Sequence, residues 1–496
     1  MPHAVVIGSG FGGLAAAIRL GARGYRVTVL ERLDRPGGRA YVFRQDGFTF
    51  DAGPTIVTLP KLFDELWALA GRRFADDITL KKIDPFYKIL FDDGETFTER
   101  GDLETMRQEV SRIAPGDLEG YQRFMEQSKS IYEVGFEKLS NVPFHSLGAM
   151  AKVLPDFVRL QSWRTVHGLA AKYVKDPHLR IALSFHPLFI GGNPFATTSI
   201  YCLISYLQNE FGVWFPMGGT GALIEGMVKL VESQGNTVRC DTEVTEITVE
   251  RGAATGVKLA SGETIPADVV VSNADAAWTY RYLLPPEVRR RWTDKKLARS
   301  RYTMSLFVWY FGTRRKYPGV PHHTILLGPR YKELLRDIFD KKVLAPDFSL
   351  YLHHPTVTDP SLAPPGCDTF YVLSPVPNLE GGIDWAHAAE PYRRAIAEKL
   401  GRTVLPGLDE AIVPSRLITP VDFQMRLRSV HGAAFGFEPV FTQSAWFRPH
   451  NRSEEVDRLY LVGAGTHPGA GVPGVLSSAR VLDSVVPHGA DLARKS

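Results

Sequence analysis

Ala4-Val-Val-Ile7-Gly8-Ser-Gly10-Phe-Gly12-Gly13-Leu14-Ala-Ala-Ala-Ile18, close to the start of the chain, is the stretch that decides the fold. An apolar strand runs into a glycine-rich turn, and the turn opens a helix with Leu14, Ala15 and Ile18 on one face. Gly8 suits the tight turn, Gly10 lets a pyrophosphate approach the backbone, and Gly13 lets helix and strand touch. The next strand, Arg26 to Leu30, ends at Glu31, 23 positions after Gly8. A carboxylate there can accept hydrogen bonds from ribose hydroxyls. Strand, turn, helix and acid at this spacing predict an α/β chain with a doubly wound, Rossmann-like nucleotide domain.

A second device of the same kind lies near the other end. Leu459-Tyr-Leu-Val462 runs into Gly463-Ala-Gly465-Thr466-His-Pro-Gly-Ala-Gly-Val-Pro-Gly474, and a helix is predicted from Val475 onward. Bare backbone N–H groups and a helix dipole make such a turn a site for an electron-rich ligand. One ligand held by both termini of the chain fits FAD in length and character. NAD uses the same first motif, but it does not need the loops that follow here. Those are Arg35-Pro-Gly37-Gly38-Arg39 and Phe48-Thr-Phe-Asp51-Ala-Gly53-Pro54-Thr55, a further meeting place for phosphate or flavin. FAD is therefore the expected cofactor. Its expected contacts are Gly8, Gly10, Gly12, Gly13, Glu31, Gly37, Gly38, Arg39, Gly53, Pro54, Thr55, Val244, Gly463, Gly465, Thr466, Gly474 and Val475.

At 496 residues the chain is long enough for two or three domains. Cys202, Cys240 and Cys367 are scattered, which argues against a disulfide scaffold, a zinc site or a redox dithiol and for a reducing compartment. No charged-then-apolar leader precedes the strand at Ala4, so a secretory signal is not expected. No apolar span suits a bilayer crossing. From Pro115 to about Arg180 the apolar spacing is helical, punctuated by Pro143, Pro155 and Pro177. Leu306–Phe311, Ser349–His353 and Thr369–Leu373 alternate like antiparallel strands. The nucleotide domain reads as discontinuous, over residues 1–90, 218–280 and 452–496. Residues 91–217 read as a helical region and 281–451 as a sheet domain.

Ile181 to Asn209 holds no formally charged side chain and is broken by Gly191-Gly192-Asn193-Pro194. A buried helix pair and the wall of an elongated apolar cavity both fit; Phe185, His186, Phe189 and Ile190 are the candidate lining residues. Basic residues crowd between Arg281 and Lys316, with Trp292 and Tyr302 among them. A solvated face and a surface for anionic lipid both fit, and no nucleic-acid recognition motif accompanies the charge. His186, His322, His323, His353, His354, His450 and His467 lack metal-ligand spacing on one element. They are expected on the surface or in loops, and no metal site is expected. No nucleophile elbow and no carboxylate pair suggests itself, so no catalytic residue is assigned.

Gly8–Gly13, Glu31 and Gly37-Gly38-Arg39 resemble the flavin amine-oxidase superfamily. Within it, four segments resemble the bacterial phytoene desaturases: Phe185–Pro194, Trp214–Gly221, Gln443–His450 and Gly463–Gly474. The resemblance covers essentially the whole chain. It implies a mixed-sheet substrate domain and a helical cap facing a membrane, beside the FAD domain. It implies FAD-dependent desaturation of phytoene to neurosporene or lycopene, with quinone or oxygen as electron acceptor, at the cytoplasmic side of the cell membrane. It also decides for the cavity reading of Ile181–Asn209. Related readings are a diapophytoene desaturase, a carotenoid 3,4-desaturase or an isomerase. A reading of another class is a non-catalytic FAD-dependent lipid-binding protein. Thr466 stands where many FAD proteins place an acid for a ribityl hydroxyl.

Overall fold

The computed structural model describes residues 1–145 and 147–493. Strand His3–Ile7 is buried along its whole length, as a central parallel strand must be. It pairs in parallel with Arg26–Leu30 on one side and Val269–Ser272 on the other. Thr237–Arg239 and Leu459–Leu461 complete a five-stranded sheet at its two edges, also in parallel. The N-terminus, the segment around residues 220–275 and the C-terminus therefore meet in one sheet. Helix Phe11–Ala22 lies between helices Thr220–Ser233 and Val472–Val485 on one face. A three-stranded antiparallel sheet, Val244–Glu250, Ala253–Leu259 and Thr264–Pro266, covers the other.

The second sheet has seven strands, in the order 412–418, 305–313, 368–376, 350–353, 323–326, 87–90, 96–99. It is antiparallel except where Thr324–Leu326 pairs in parallel with Lys88–Leu90. Residues 87–99 thus join this sheet rather than the nucleotide or helical regions. Ser305–Thr313 is buried at every position, and its alternation sorts two cores. Leu306, Val308 and Tyr310 face the interior beneath the helical region. Phe307, Trp309 and Phe311 face helix Trp385–Thr403.

The helical region comprises Leu103–Ile113, Leu118–Tyr132, Leu147–Arg159, Val166–Tyr173, Pro177–Ala182 and Leu203–Phe211. Pro177 sits in a helix first turn behind the Asp176 cap, where its missing N–H costs nothing. Pro155 does not end a helix but lies inside Leu147–Arg159. Among the described residues no helix is long and apolar enough to cross a membrane.

Two expectations are corrected by burial. Trp292 and Tyr302 do not face an interface; both are buried, with Trp292 stacked on Tyr280. Arg289 is buried and paired with Asp294 at 2.7 Å, Arg301 meets Glu438 at 2.6 Å, and Arg291 lies 3.4 Å from Glu454. Arg291 and Arg301 thereby tie the stretch to residues 438–454, while Arg289, the buried one of the three, is neutralised within it. The histidines are also not at the surface. His186, His322, His323, His353, His354, His450 and His467 are all buried. Strand pairing carries His323 and His353 inside, against each other.

Candidate active site

A cavity of ≈ 600 Å³ lies between the two sheets and under the helical region. One end is backbone. The turns at Gly8–Gly12, Gly37–Gly38, Gly53–Thr55 and Gly463–Val475 converge there. Helices Phe11–Ala22 and Val472–Val485 both begin in this wall, and neither Gly10 nor Gly471, which precede them, carries a capping side chain. Their first N–H groups have no partner inside the helix and lie at the positive end of its dipole. Two uncapped helix N-termini facing one cavity suit the pyrophosphate and the polar ring edge of FAD.

The glycines explain how the segments come so close. A Cβ on Gly13 would stand 2.0 Å from the Gly8 carbonyl oxygen, so helix and strand touch there. A Cβ on Gly12 would stand 2.5 Å from Asn273 Oδ1 and 3.1 Å from the backbone of Gly463. The two ends of the chain therefore meet through Asn273, the residue after strand Val269–Ser272. Glu31 is buried, and its Oε2 accepts from Ser9 N at 2.9 Å and Ser9 Oγ at 2.6 Å. Oε1 accepts from Leu33 N at 3.0 Å. The carboxylate is thus fixed in place before any ribose arrives.

The Ala52–Thr55 loop is held from the seven-stranded sheet and from helix Thr220–Ser233. Tyr310 donates to Ala52 O at 2.8 Å and Thr220 to Pro54 O at 2.6 Å. Thr55 Oγ1 is bonded to the hydroxyls of Tyr351 at 3.1 Å and Tyr371 at 2.9 Å. Arg39 donates through Nε to Ala434 O at 2.7 Å, tying the Gly37–Arg39 turn to residues 429–434.

The other end of the cavity is apolar. Leu306, Val308 and Leu373 form its floor, and Leu139, Val153 and Phe157 form its roof. Phe185, Phe189 and Ile190 line it, whereas His186 does not. The imidazole of His186 turns toward Glu99, 3.5 Å away, behind the rings of Phe185 and Phe189. All the expected FAD residues line the cavity except Gly13 and Thr466. Gly13 acts one layer back, at the helix–strand contact. Thr466 is buried and its hydroxyl donates to Pro449 O at 2.6 Å, so it braces the loop instead of meeting a ribityl chain.

Sequence reasoning missed Ser9, Asn273, Asp275 and Arg448. Arg448 is fully enclosed with no carboxylate partner among the described residues, donating to Phe437 O at 3.0 Å and Ala464 O at 3.3 Å. Burial lowers its affinity for a proton, yet it remains a cation set against the glycine-rich loop. Asp275 lines the cavity and accepts from Trp278 N at 3.1 Å. Burial pushes its carboxyl above the usual range, with the Arg39 guanidinium opposing that shift. The other cavity carboxylates are engaged: Glu243 with Arg428 at 2.7 Å, Asp156 with Arg159 at 2.9 Å, and Asp422 with Thr419. Only their place directly after strand Val269–Ser272 could have flagged Asn273 and Asp275.

Known proteins match this chain along nearly all its length. Residues 11–481 match the family described as flavin containing amine oxidoreductase. A neurosporene-forming phytoene desaturase of Rhodobacter capsulatus is 54% identical over 98% of this chain and 94% of that relative. A lycopene-forming phytoene desaturase of a Paracoccus species is 47% identical, covering 97% of each chain. A 4,4'-diapophytoene desaturase of a Methylomonas species is 33% identical over 98% of this chain and 95% of that one. Among solved structures, a putrescine oxidase variant shares the fold with a TM-score of 0.67 at 14% identity, covering 100% of this chain and 99% of its own.

Proposed function

We propose that this chain, which belongs to the flavin containing amine oxidoreductase family, is a peripheral membrane enzyme that desaturates phytoene with bound FAD, forming neurosporene or lycopene. One observation carries the reading: a single cavity joins two uncapped helix N-termini to a long apolar chamber. The dinucleotide has its place at the backbone end and a hydrocarbon at the other. An apolar chamber loses nothing when a polyene displaces its water, whereas a polar wall would be left unpaired. When bound, FAD supplies the two-electron acceptor for a hydride leaving an allylic carbon. The chain positions that carbon, excludes water, and offers backbone N–H groups and the Arg448 cation to negative charge. Incubating purified protein, FAD and phytoene-loaded liposomes tests the reading. Pigment with the longer-wavelength absorption of neurosporene or lycopene is expected, and unchanged phytoene would refute it.

Each step removes a hydride and a proton from adjacent carbons. Once hydride has left, the allylic cation is acidic enough to lose its proton to water or a carbonyl oxygen. The cavity agrees with that economy: its buried carboxylates without an ion pair among the described residues are Glu31, held by Ser9 and Leu33, and Asp275, whose pKa burial holds up. Asp275→Asn should therefore slow turnover by less than about tenfold, with FAD retained. A positioned general base contributes about 10²–10⁴. A loss in that range at unchanged FAD and substrate binding would make Asp275 the base and end the base-free scheme.

Access comes from the helical side. Met150, Val153 and Phe157 of helix Leu147–Arg159 line the cavity, while Leu154 and Val158 of the same helix are 58% and 53% exposed. Trp163 and Phe441 are 57% and 42% exposed, and the Phe441 ring lies 4.9 Å from that of Phe157. An exposed apolar rim continuous with an apolar cavity suits insertion among acyl chains, from which phytoene would enter directly. The enzyme then sits at the cytoplasmic side of the cell membrane, where quinone or oxygen takes the electrons. Leu154→Ser, Trp163→Ser and Phe441→Ser combined should cut liposome flotation at least tenfold. Flotation equal to the parent protein would remove this face from the membrane.

A further inference from the structure

Three imidazoles converge behind the cavity wall, outside the site described above. The antiparallel register of His323–Leu326 with Leu350–His353 sets His323 directly opposite His353, and His322 adjoins them. One ring nitrogen of each lies within 4.8 Å of the others. All three rings are at most 3% exposed. Nδ1 of His322 is 2.6 Å from the Thr358 hydroxyl, and Nδ1 of His323 is 2.7 Å from the Tyr351 hydroxyl. Nε2 of both rings, and both nitrogens of His353, are buried without a hydrogen-bond partner among the described residues. A neutral imidazole has one donor and one acceptor to satisfy, and leaving either buried and unpaired is unfavourable. Aromatic rings close the surroundings: Phe215 is 4.7 Å from His322, and Tyr371 is 4.8 Å from His353. The neighbouring His354 is not part of the group, because its Nε2 meets Asp368 at 3.1 Å.

We propose that His322, His323 and His353 bind one divalent ion of the zinc class, through one ring nitrogen each. Neutral imidazoles suit zinc, cobalt or copper, whereas calcium and magnesium require oxygen donors. Zinc–nitrogen bonds of about 2.0–2.1 Å place the ligand nitrogens about 3.4 Å apart in a tetrahedron. The rings reach that spacing by closing about 1.4 Å from their present separation. Thr358 and Tyr351 already hold the Nδ1 atoms of two rings, as outer partners do in metal sites, which leaves Nε2 free to coordinate. Water completes the fourth position. The ion joins two neighbouring strands of the large sheet. Through His323 and Tyr351 it braces Thr55, which lines the cavity.

The test uses untagged, FAD-loaded protein stripped with a chelator and desalted. One equivalent of Zn2+ should be retained through a second desalting, and the zinc X-ray absorption edge should show a shell of imidazole nitrogen and oxygen at about 2.0–2.1 Å. His322→Gln and His353→Gln should each lower Zn2+ affinity at least tenfold. His387→Gln, at an exposed site, should leave it unchanged. Native protein that retains no more Zn2+ than the His322→Gln/His353→Gln double variant overturns the proposal, as does a sulfur-dominated shell. Should the variants lose FAD or fail to fold, stoichiometry and edge spectrum of the native protein decide alone.

Discussion

Gly13→Val will purify without FAD. A Cβ at this position would lie 2.0 Å from Gly8 O and 3.1 Å from Gly8 C, and the obstacle is backbone, which cannot rotate aside. Helix Phe11–Ala22 must then lift from strand His3–Ile7. Overpacking of this kind costs about 1–3 kcal/mol even where side chains can yield. The lift also moves the helix N-terminus and Gly12, which lies against Asn273 and Gly463. Both ends of the dinucleotide site open together. Flavin absorbance per polypeptide measures the effect, with far-UV circular dichroism as the check that the sheet persists. A normal complement of FAD in the variant would refute the assignment of the turn.

Phe189→Asp will keep its FAD and lose turnover by about 100-fold or more. Phe189 lines the apolar chamber, its ring 5.4 Å from Phe185, 5.6 Å from Tyr87 and 5.8 Å from Tyr351. A carboxylate there must be hydrated or protonated, and either narrows a channel built for hydrocarbon. Losing about 3 kcal/mol of polyene binding corresponds to roughly 100-fold. Phe189→Leu is the control and should remain within about tenfold of the parent enzyme. Full activity in a folded Phe189→Asp variant would place the polyene elsewhere.

The parts of the site that could be read from sequence are those whose logic is local. His3 to Glu31 contains a strand, a turn, a helix and a second strand within one continuous stretch, so the spacing alone implies the clamp. The same holds for Leu459 to Val475. Charge poverty from Ile181 to Asn209 correctly marks burial, but it does not say which way each side chain points. Phe189 lines the cavity while His186 turns to Glu99. Residues missed altogether depend on contacts far apart in the chain. Asn273 gains its place from Gly12 and Gly463, and Arg448 gains its place from the loop beginning at Ala464. The histidines are the clearest case. Adjacent pairs at 322–323 and 353–354 carry no ligand spacing on one element, and only the cross-strand register brings three rings together. The basic stretch is legible only in part for a related reason: Arg289, Arg291 and Arg301 meet Asp294, Glu454 and Glu438, and the last two lie far off in sequence.

The most direct test of the central claim is an anaerobic single turnover of FAD-loaded protein with phytoene deuterated at the reacting allylic carbon. The account predicts loss of the oxidised-flavin absorbance in step with the appearance of extended conjugation. It also predicts that deuterium slows both signals equally, because the allylic C–H bond breaks as hydride leaves. Conjugation that extends while the flavin stays oxidised would contradict it.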